Sequence, residues 1–192
     1  MRTLTVLVVS LFITMGVTAQ KLSGNISPLK GQKEVNVVLD FSGTLVNNQP
    51  EQAHIDHEIN GKTEEEKVKW LKEWNEDLRT NAYTMLTDNL GKNLRDVTFT
   101  IGKYPNADIT INIKVINIET GYFAGPFAKP SVVNANVSFI KKGESAPFAT
   151  VQYKKCSNGF SSTVAYHVTR ITMSFGRLGD ELAVLINKNI KK

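Results

Sequence analysis

His54-Ile55-Asp56-His57-Glu58 places two imidazoles and two carboxylates within five consecutive residues. Imidazole nitrogen and carboxylate oxygen both ligate zinc and other divalent ions. His54 and His57 are therefore the candidate metal ligands, and a metal-dependent hydrolase is the enzymatic reading of this chain. The spacing departs from the zinc-peptidase pattern, which sets two histidines four apart on a helix with a glutamate between them. Here the histidines are three apart, the glutamate follows the second, and the polar surroundings predict a loop. The third histidine, His167, lies far along the chain. A solvated polar loop is the simpler account. Asp56 and Glu58 are placed too loosely for acid–base work.

The single cysteine, Cys156, follows Lys154-Lys155. Neighbouring cations lower a thiol pKa and raise its nucleophilicity. No flanking motif supplies a partner base, however, and free cysteine packs as a small hydrophobe. One cysteine also excludes an intramolecular disulfide framework and any multi-cysteine metal site. No phosphate-binding glycine loop, nucleophile elbow or kinase signature occurs, and the sequence calls for no cofactor.

A different chemistry is offered by Gly121-Tyr122-Phe123-Ala124-Gly125-Pro126-Phe127-Ala128-Lys129-Pro130. This segment joins two expected strands, yet it carries three rings where a hairpin tip is ordinarily polar. Tyr122, Phe123 and Phe127 are the candidate partner-binding residues, because aromatic side chains supply large contact area at low conformational cost. The alternative is that the rings fold back and complete the core, since exposed apolar patches are rare unless used. Trp70 and Trp74, four apart, read as core packing with one edge exposed.

These residues need elements to position them. Val35, Val37, Leu39 and Phe41 alternate and predict a strand. Residues 42–62 read as a long polar connection. Thr63-Glu64-Glu65-Glu66 is a capping box that opens a helix, whose apolar stripe runs Val68, Leu71, Trp74, Leu78, Ala82, Met85, Leu86, Leu90, with Gly91 as its stop. Val97, Phe99 and Ile101 form a short strand. Ile109, Ile111, Ile113 and Val115 form a long one, and 131–141 with 146–155 a hairpin. Val164, Val168, Ile171, Phe175, Leu178, Leu182, Leu185, Ile186 and Ile190 advance by three and four and predict a C-terminal helix, with Gly176 and Gly179 as points of bending or breakage. The resulting fold class is α+β: two layers, a mostly antiparallel sheet with two long helices packed on one face.

Residues 1–19 read as a signal peptide. Arg2 precedes the apolar stretch Leu4–Ile13, and Val17-Thr18-Ala19 fits a cleavage site after Ala19. The stretch is short for a bilayer span, which takes about 20 residues; an uncleaved anchor is the alternative. Gln20, not cysteine, follows the cleavage site, so no lipoprotein anchor is expected. The expected organisation is a leader over 1–19, an irregular N-terminal arm over 20–33 and a single domain over 34–192, with no integral membrane span once the leader is removed. The 192 residues carry a net charge of +5. The lysines and arginines are spread along the chain, without the one-sided basic face typical of nucleic-acid binding, so no nucleic acid is expected.

Tyr104-Pro105-Asn106-Ala107-Asp108 runs into the strand Ile109-Thr110-Ile111-Asn112-Ile113. That strand reaches Glu119-Thr120-Gly121, a hairpin follows, and the last helix contains Gly179-Asp180-Glu181-Leu182-Ala183. Over roughly residues 97–190 this resembles small exported bacterial envelope families, periplasmic or lipoprotein-like and Bacteroidetes-like in style. The resemblance implies an α+β envelope domain that serves in a larger assembly, and no catalytic residue. The expectation is thus a periplasmic or secreted, non-enzymatic binding or assembly module. Its partner would be a protein of the cell envelope, or a small apolar ligand carried between helices and sheet.

Overall fold

The structure is a computed structural model and describes residues 18–19 and 22–190. Residues 1–17 of the expected leader, and Gln20 at its expected cleavage junction, lie outside the described residues. The chain is α+β. One sheet runs through the molecule, and the helices cover one of its faces.

The sheet is built around β7 (Ile109–Glu119), β8 (Val132–Lys141) and β9 (Ala149–Cys156), an antiparallel meander. Each alternates as the period of a half-buried strand requires. Ile109, Ile111, Ile113, Val133, Val137, Phe139 and Val151 point into the core. Thr110, Asn112, Lys114, Asn136, Ser138 and Gln152 lie on the opposite, polar face. β3 (Glu34–Asp40) runs parallel to β7, and β6 (Thr100–Gly102) runs parallel to β3 at the edge. The two-residue strands β1 (Thr18–Ala19) and β2 (Ser23–Gly24) border the far edge, on β9. The arm that follows is short but fastened, with Ile26 and Leu29 fully buried.

The expected long connection over 42–62 is instead structured. β4 (Leu45–Val46) and β5 (Gln49–Pro50) form a small hairpin, and α1 spans Glu51–Ile59. Asn47 and Asn48, at φ +51° and +63°, make the two-residue turn, a geometry that asparagine tolerates better than most residues. β4 then continues along β7 where β3 stops. A β-bulge in β7 between Val115 and Asn117 turns Asn117 so that its Oδ1 accepts from the Asn48 amide at 3.0 Å.

α2 (Glu64–Lys72) starts at the Thr63 capping box, with both of its reciprocal hydrogen bonds formed. It is not continuous with α3 (Leu78–Asn93): a π-helical turn, Glu73–Asp77, separates them. The extra residue in such a turn rotates the apolar face. Trp70 therefore comes to lie beneath Trp74, and Val68, expected in the stripe, is 67% exposed. Gly91 lies within α3, which ends only at Asn93.

α4 (His167–Ile190) runs unbroken through its glycines. Gly176 and Gly179 mark where α4 crosses α3. A methyl group at Gly179 would collide with the Leu86 carbonyl and reach 3.1 Å from the Leu90 amide, whereas one at Gly176 would meet the flexible Met85 side chain at 2.9 Å. Glycine in a helix costs about 1 kcal/mol relative to alanine, while forcing packed backbones apart costs about 1–3 kcal/mol. At Gly179 the second term prevails. At Gly176 the methionine yields and the two nearly cancel. Gly179→Ala is accordingly expected to destabilise by about 2 kcal/mol and Gly176→Ala by less than about 1 kcal/mol, as read by urea unfolding. Equal losses would refute this crossing geometry.

Candidate functional site

The ends of β7 and β9 and the start of β8 meet at one end of the sheet, where two loops emerge. The first runs from Thr120 to Ser131. Its stem is closed by reciprocal backbone hydrogen bonds between Tyr122 and Lys129, both 2.9 Å. Gly121, at φ +61°, lies so near the Lys129 carbonyl and the Pro130–Ser131 peptide that no side chain fits. A single 3₁₀ turn, Gly125–Phe127, shapes the tip. The second loop, from Ser157 to Tyr166, contains the 3₁₀ turn Gly159–Thr163, capped by the Asn158 side chain.

The rings on these loops point outward. Tyr122 is 50%, Phe123 52% and Phe127 77% exposed. The second loop adds Phe160 at 76% and Tyr166 at 45%. Neither ring is marked out by the sequence: Phe160 stands alone among serines and glycine, and Tyr166 falls within the span of the expected C-terminal helix.

Buried polar groups hold the loops together. Arg170, on the first turn of α4, donates from Nε to the Thr120 carbonyl at 3.0 Å. Its Nη1 donates to the carbonyls of Val164 (2.8 Å) and Ala165 (3.0 Å). One guanidinium thereby ties the first loop to the second. Burial pushes its pKa down from the ordinary arginine value. Beside it, the Ser131 amide donates to Ser161 Oγ at 3.1 Å, and Ser157 Oγ donates to the Ser131 carbonyl at 2.6 Å. Ser131 Oγ donates to the Arg170 carbonyl at 2.7 Å and lies 2.5 Å from Ser174 Oγ. The result is a pair of loops tied together at their bases, with rings displayed beyond the ties.

The histidines are placed differently. His54 and His57 lie on α1, not on a loop. The His54 ring packs against Trp74 (4.8 Å between centroids) and Trp70 (6.0 Å), whereas the His57 side chain is 85% exposed. Trp70 and Trp74 stack at 5.4 Å with their planes 7° apart, and His167 stacks on Trp70 at 6.0 Å. His167 thus joins His54 across the indoles, and its Nε2 is 4.0 Å from Glu73 Oε2. Trp74 Nε1 donates to Glu51 Oε1 at 2.8 Å, as does Arg79 Nη2. Among the described residues, no group of three or more His, Cys, Asp or Glu side chains converges as a metal site would require. Cys156 is buried, and burial pushes its thiol up to about 12, far from a reactive thiolate.

Fully buried Phe139, Tyr153, Phe175 and Leu178 fill the space between helices and sheet. An open cleft of ≈ 450 Å³ lies by the β4–β5 hairpin and the start of α1, lined by Leu45, Pro50, Gln52, Ile55 and Asn75 among others. No helix among the described residues is long and apolar enough to cross a membrane.

Arg170→Met removes three charge-assisted hydrogen bonds and orphans three carbonyls. The expected loss is about 2–4 kcal/mol, with faster amide exchange in both loops; unchanged exchange there would show that the arginine does not tie them. Burial is the leading cause that lowers the pKa of both His54 and His167 from 6.5, opposed by Glu58 at His54 and by Glu73 at His167. The unfolded chain therefore takes up protons first as pH falls. Full stability is present above about 6.5 and declines as pH drops toward the folded-state values. Thermal unfolding is expected to show this decline between about pH 7 and 5, and His167→Phe to reduce it; identical profiles would contradict the assignment.

No known family's sequence profile matches this chain, and no curated protein matches it. Solved structures do. A PelC dodecamer from Paraburkholderia phytofirmans is 14% identical, covering 85% of this chain and 98% of that one, with a TM-score of 0.39. A homolog of the neuraminyllactose-binding hemagglutinin from Helicobacter pylori is 11% identical, covering 85% of each chain, with a TM-score of 0.34. A DUF330 protein from Xanthomonas campestris is 11% identical, covering 83% of this chain and 87% of that one, with a TM-score of 0.33. Likeness of this degree assigns no function to the chain.

Proposed function

We propose that this protein is an exported, non-enzymatic binding or assembly module of the bacterial cell envelope, and that it attaches to its partner through the ring-bearing end of the sheet. Export rests on the N-terminal pattern of Arg2, the apolar stretch Leu4–Ile13 and Val17-Thr18-Ala19. On this reading residues 1–19 are the leader and the remainder acts as one unit in the periplasm or outside the cell.

The observation that carries the proposal is that Phe127, 77% exposed, stands with Tyr122, Phe123 and Phe160 on loops locked by buried hydrogen bonds. Keeping several rings in water is unfavourable unless they are used, and fixing them in advance lowers the cost of binding. The large side chains buried between helices and sheet, Phe139, Tyr153 and Phe175 among them, favour this surface over a carried ligand.

The test is sedimentation with isolated envelope membranes, comparing the wild type with Tyr122, Phe123 and Phe127 all changed to Ala. These side chains are exposed, so the variant should keep its folding stability within about 0.5 kcal/mol per site. Retention is expected to drop at least about tenfold, the loss that truncated hot-spot residues produce. Equal retention would overturn the proposal.

A further inference from the structure

Which partner fits this end follows from three features of it. The first is that Phe123, Phe127 and Phe160 stand exposed on the two loops and that their side chains carry no polar atom. Tyr122, half-exposed at the stem of the first loop, adds a hydroxyl beside them. This is the arrangement of a surface that dips into the boundary between headgroups and acyl chains, with amphipathic rings at headgroup level.

The second is that the loop backbones satisfy much of their own hydrogen bonding. Tyr122 and Lys129 amides are paired with each other's carbonyls. Phe127 and Ala128 donate within the first 3₁₀ turn. In the second loop, Phe160 donates to Asn158 Oδ1, Thr163 Oγ1 donates to the Phe160 carbonyl, and the Val164 amide donates to the Ser161 carbonyl. Unsatisfied backbone groups are costly in an apolar medium, so loops closed in this way can enter one cheaply. A protein partner would not require that closure.

The third is charge. Neither loop contains an acidic residue. Lys129 lies at the stem of the first loop, where it pairs with Glu119 at 3.1 Å. Lys154 and Lys155 are exposed at the adjoining end of β9, and no carboxylate pairs with them among the described residues. Glu73, on the π-helical turn, engages the Tyr166 hydroxyl, and Asp77 on the same turn acts on it electrostatically.

Resting on the reading above, we infer that the occupant of this end is an anionic lipid surface: Phe123, Phe127 and Phe160 enter below the headgroups, and Lys129, Lys154 and Lys155 lie at the phosphates. Attachment is peripheral and reversible, combining buried apolar area with attraction that salt screens.

The full chain is tested against protein-free vesicles of phosphatidylethanolamine with phosphatidylglycerol, and against phosphatidylcholine vesicles. The readout is the difference between variants that share the same N-terminal stretch. The wild type is expected to sediment with the anionic vesicles, more weakly in high salt. Changing Phe123, Phe127 and Phe160 together to Ala is expected to weaken binding at least about tenfold, with an unchanged thermal midpoint. Phe127→Trp is expected to give fluorescence that shifts to the blue when anionic vesicles are added. Equal binding by wild type and triple variant, or no blue shift, overturns the inference. Ring-dependent retention on native envelope membranes that is lost after protease stripping, with none on vesicles, identifies a protein partner; it overturns this inference while leaving the proposed function in place. Absence of ring-dependent retention on native membranes removes both.

Discussion

The close crossing of α3 and α4 is the constraint on which the rest of the molecule depends. Two helices can share one face of a sheet and still seal each other's flanks only if their axes approach closely. Gly179 permits that approach, because its missing side chain lets the Leu86 carbonyl and Leu90 amide of α3 lie against the α4 backbone. The remaining faces of α4 then reach the sheet through Ile171, Phe175, Leu178, Leu182 and Ile186, all fully buried. Phe175 meets Phe41 at 5.7 Å, and Arg79 caps the far side of Phe41 at 5.0 Å.

That docking also builds the candidate site. Once α4 is fixed against the sheet, its first turn is held at the end where β7, β8 and β9 open into loops. Arg170 there bridges both loops, and Ser174, one turn further, reaches Ser131. A buried guanidinium is costly unless its donors are paired, and three carbonyls take up three of the five N–H donors here. The same turn presents His167 to Trp70, so the aromatic stack beneath α1 and the ring-bearing loops share one support. The stack reads as structure: His54 is packed against indole, His57 faces water, and Glu51 is engaged by Trp74 and Arg79.

Much of the fold was legible because period is a local signal. The alternation of Ile109–Val115 and the three-and-four spacing of Val168–Ile190 appear as β7 and α4, and the capping box at Thr63 marks the start of α2. The misreadings have local causes too. α1 has a single fully inward residue, Ile55, so it shows no stripe. The Asn47-Asn48 turn lacks the glycine that usually announces it. The π-helical turn at Glu73–Asp77 adds one residue to a regular pattern and displaces Val68 from the core face. A period count cannot detect such an insertion, because the residues on both sides remain helical.

The sequence by itself determined the α+β class, the strand and helix periods and the unusual run of rings from Tyr122 to Phe127, since these follow from the order of apolar and polar side chains along a short stretch. Only the tertiary structure decided that Gly176 and Gly179 mark a helix crossing, that Phe160 stands beside the first loop, and that His54 and His57 face different surroundings. Each of these depends on contacts between segments distant in the chain. Whether a ring is core or surface is set by what the rest of the fold brings over it, and here nothing in the described chain covers Phe127.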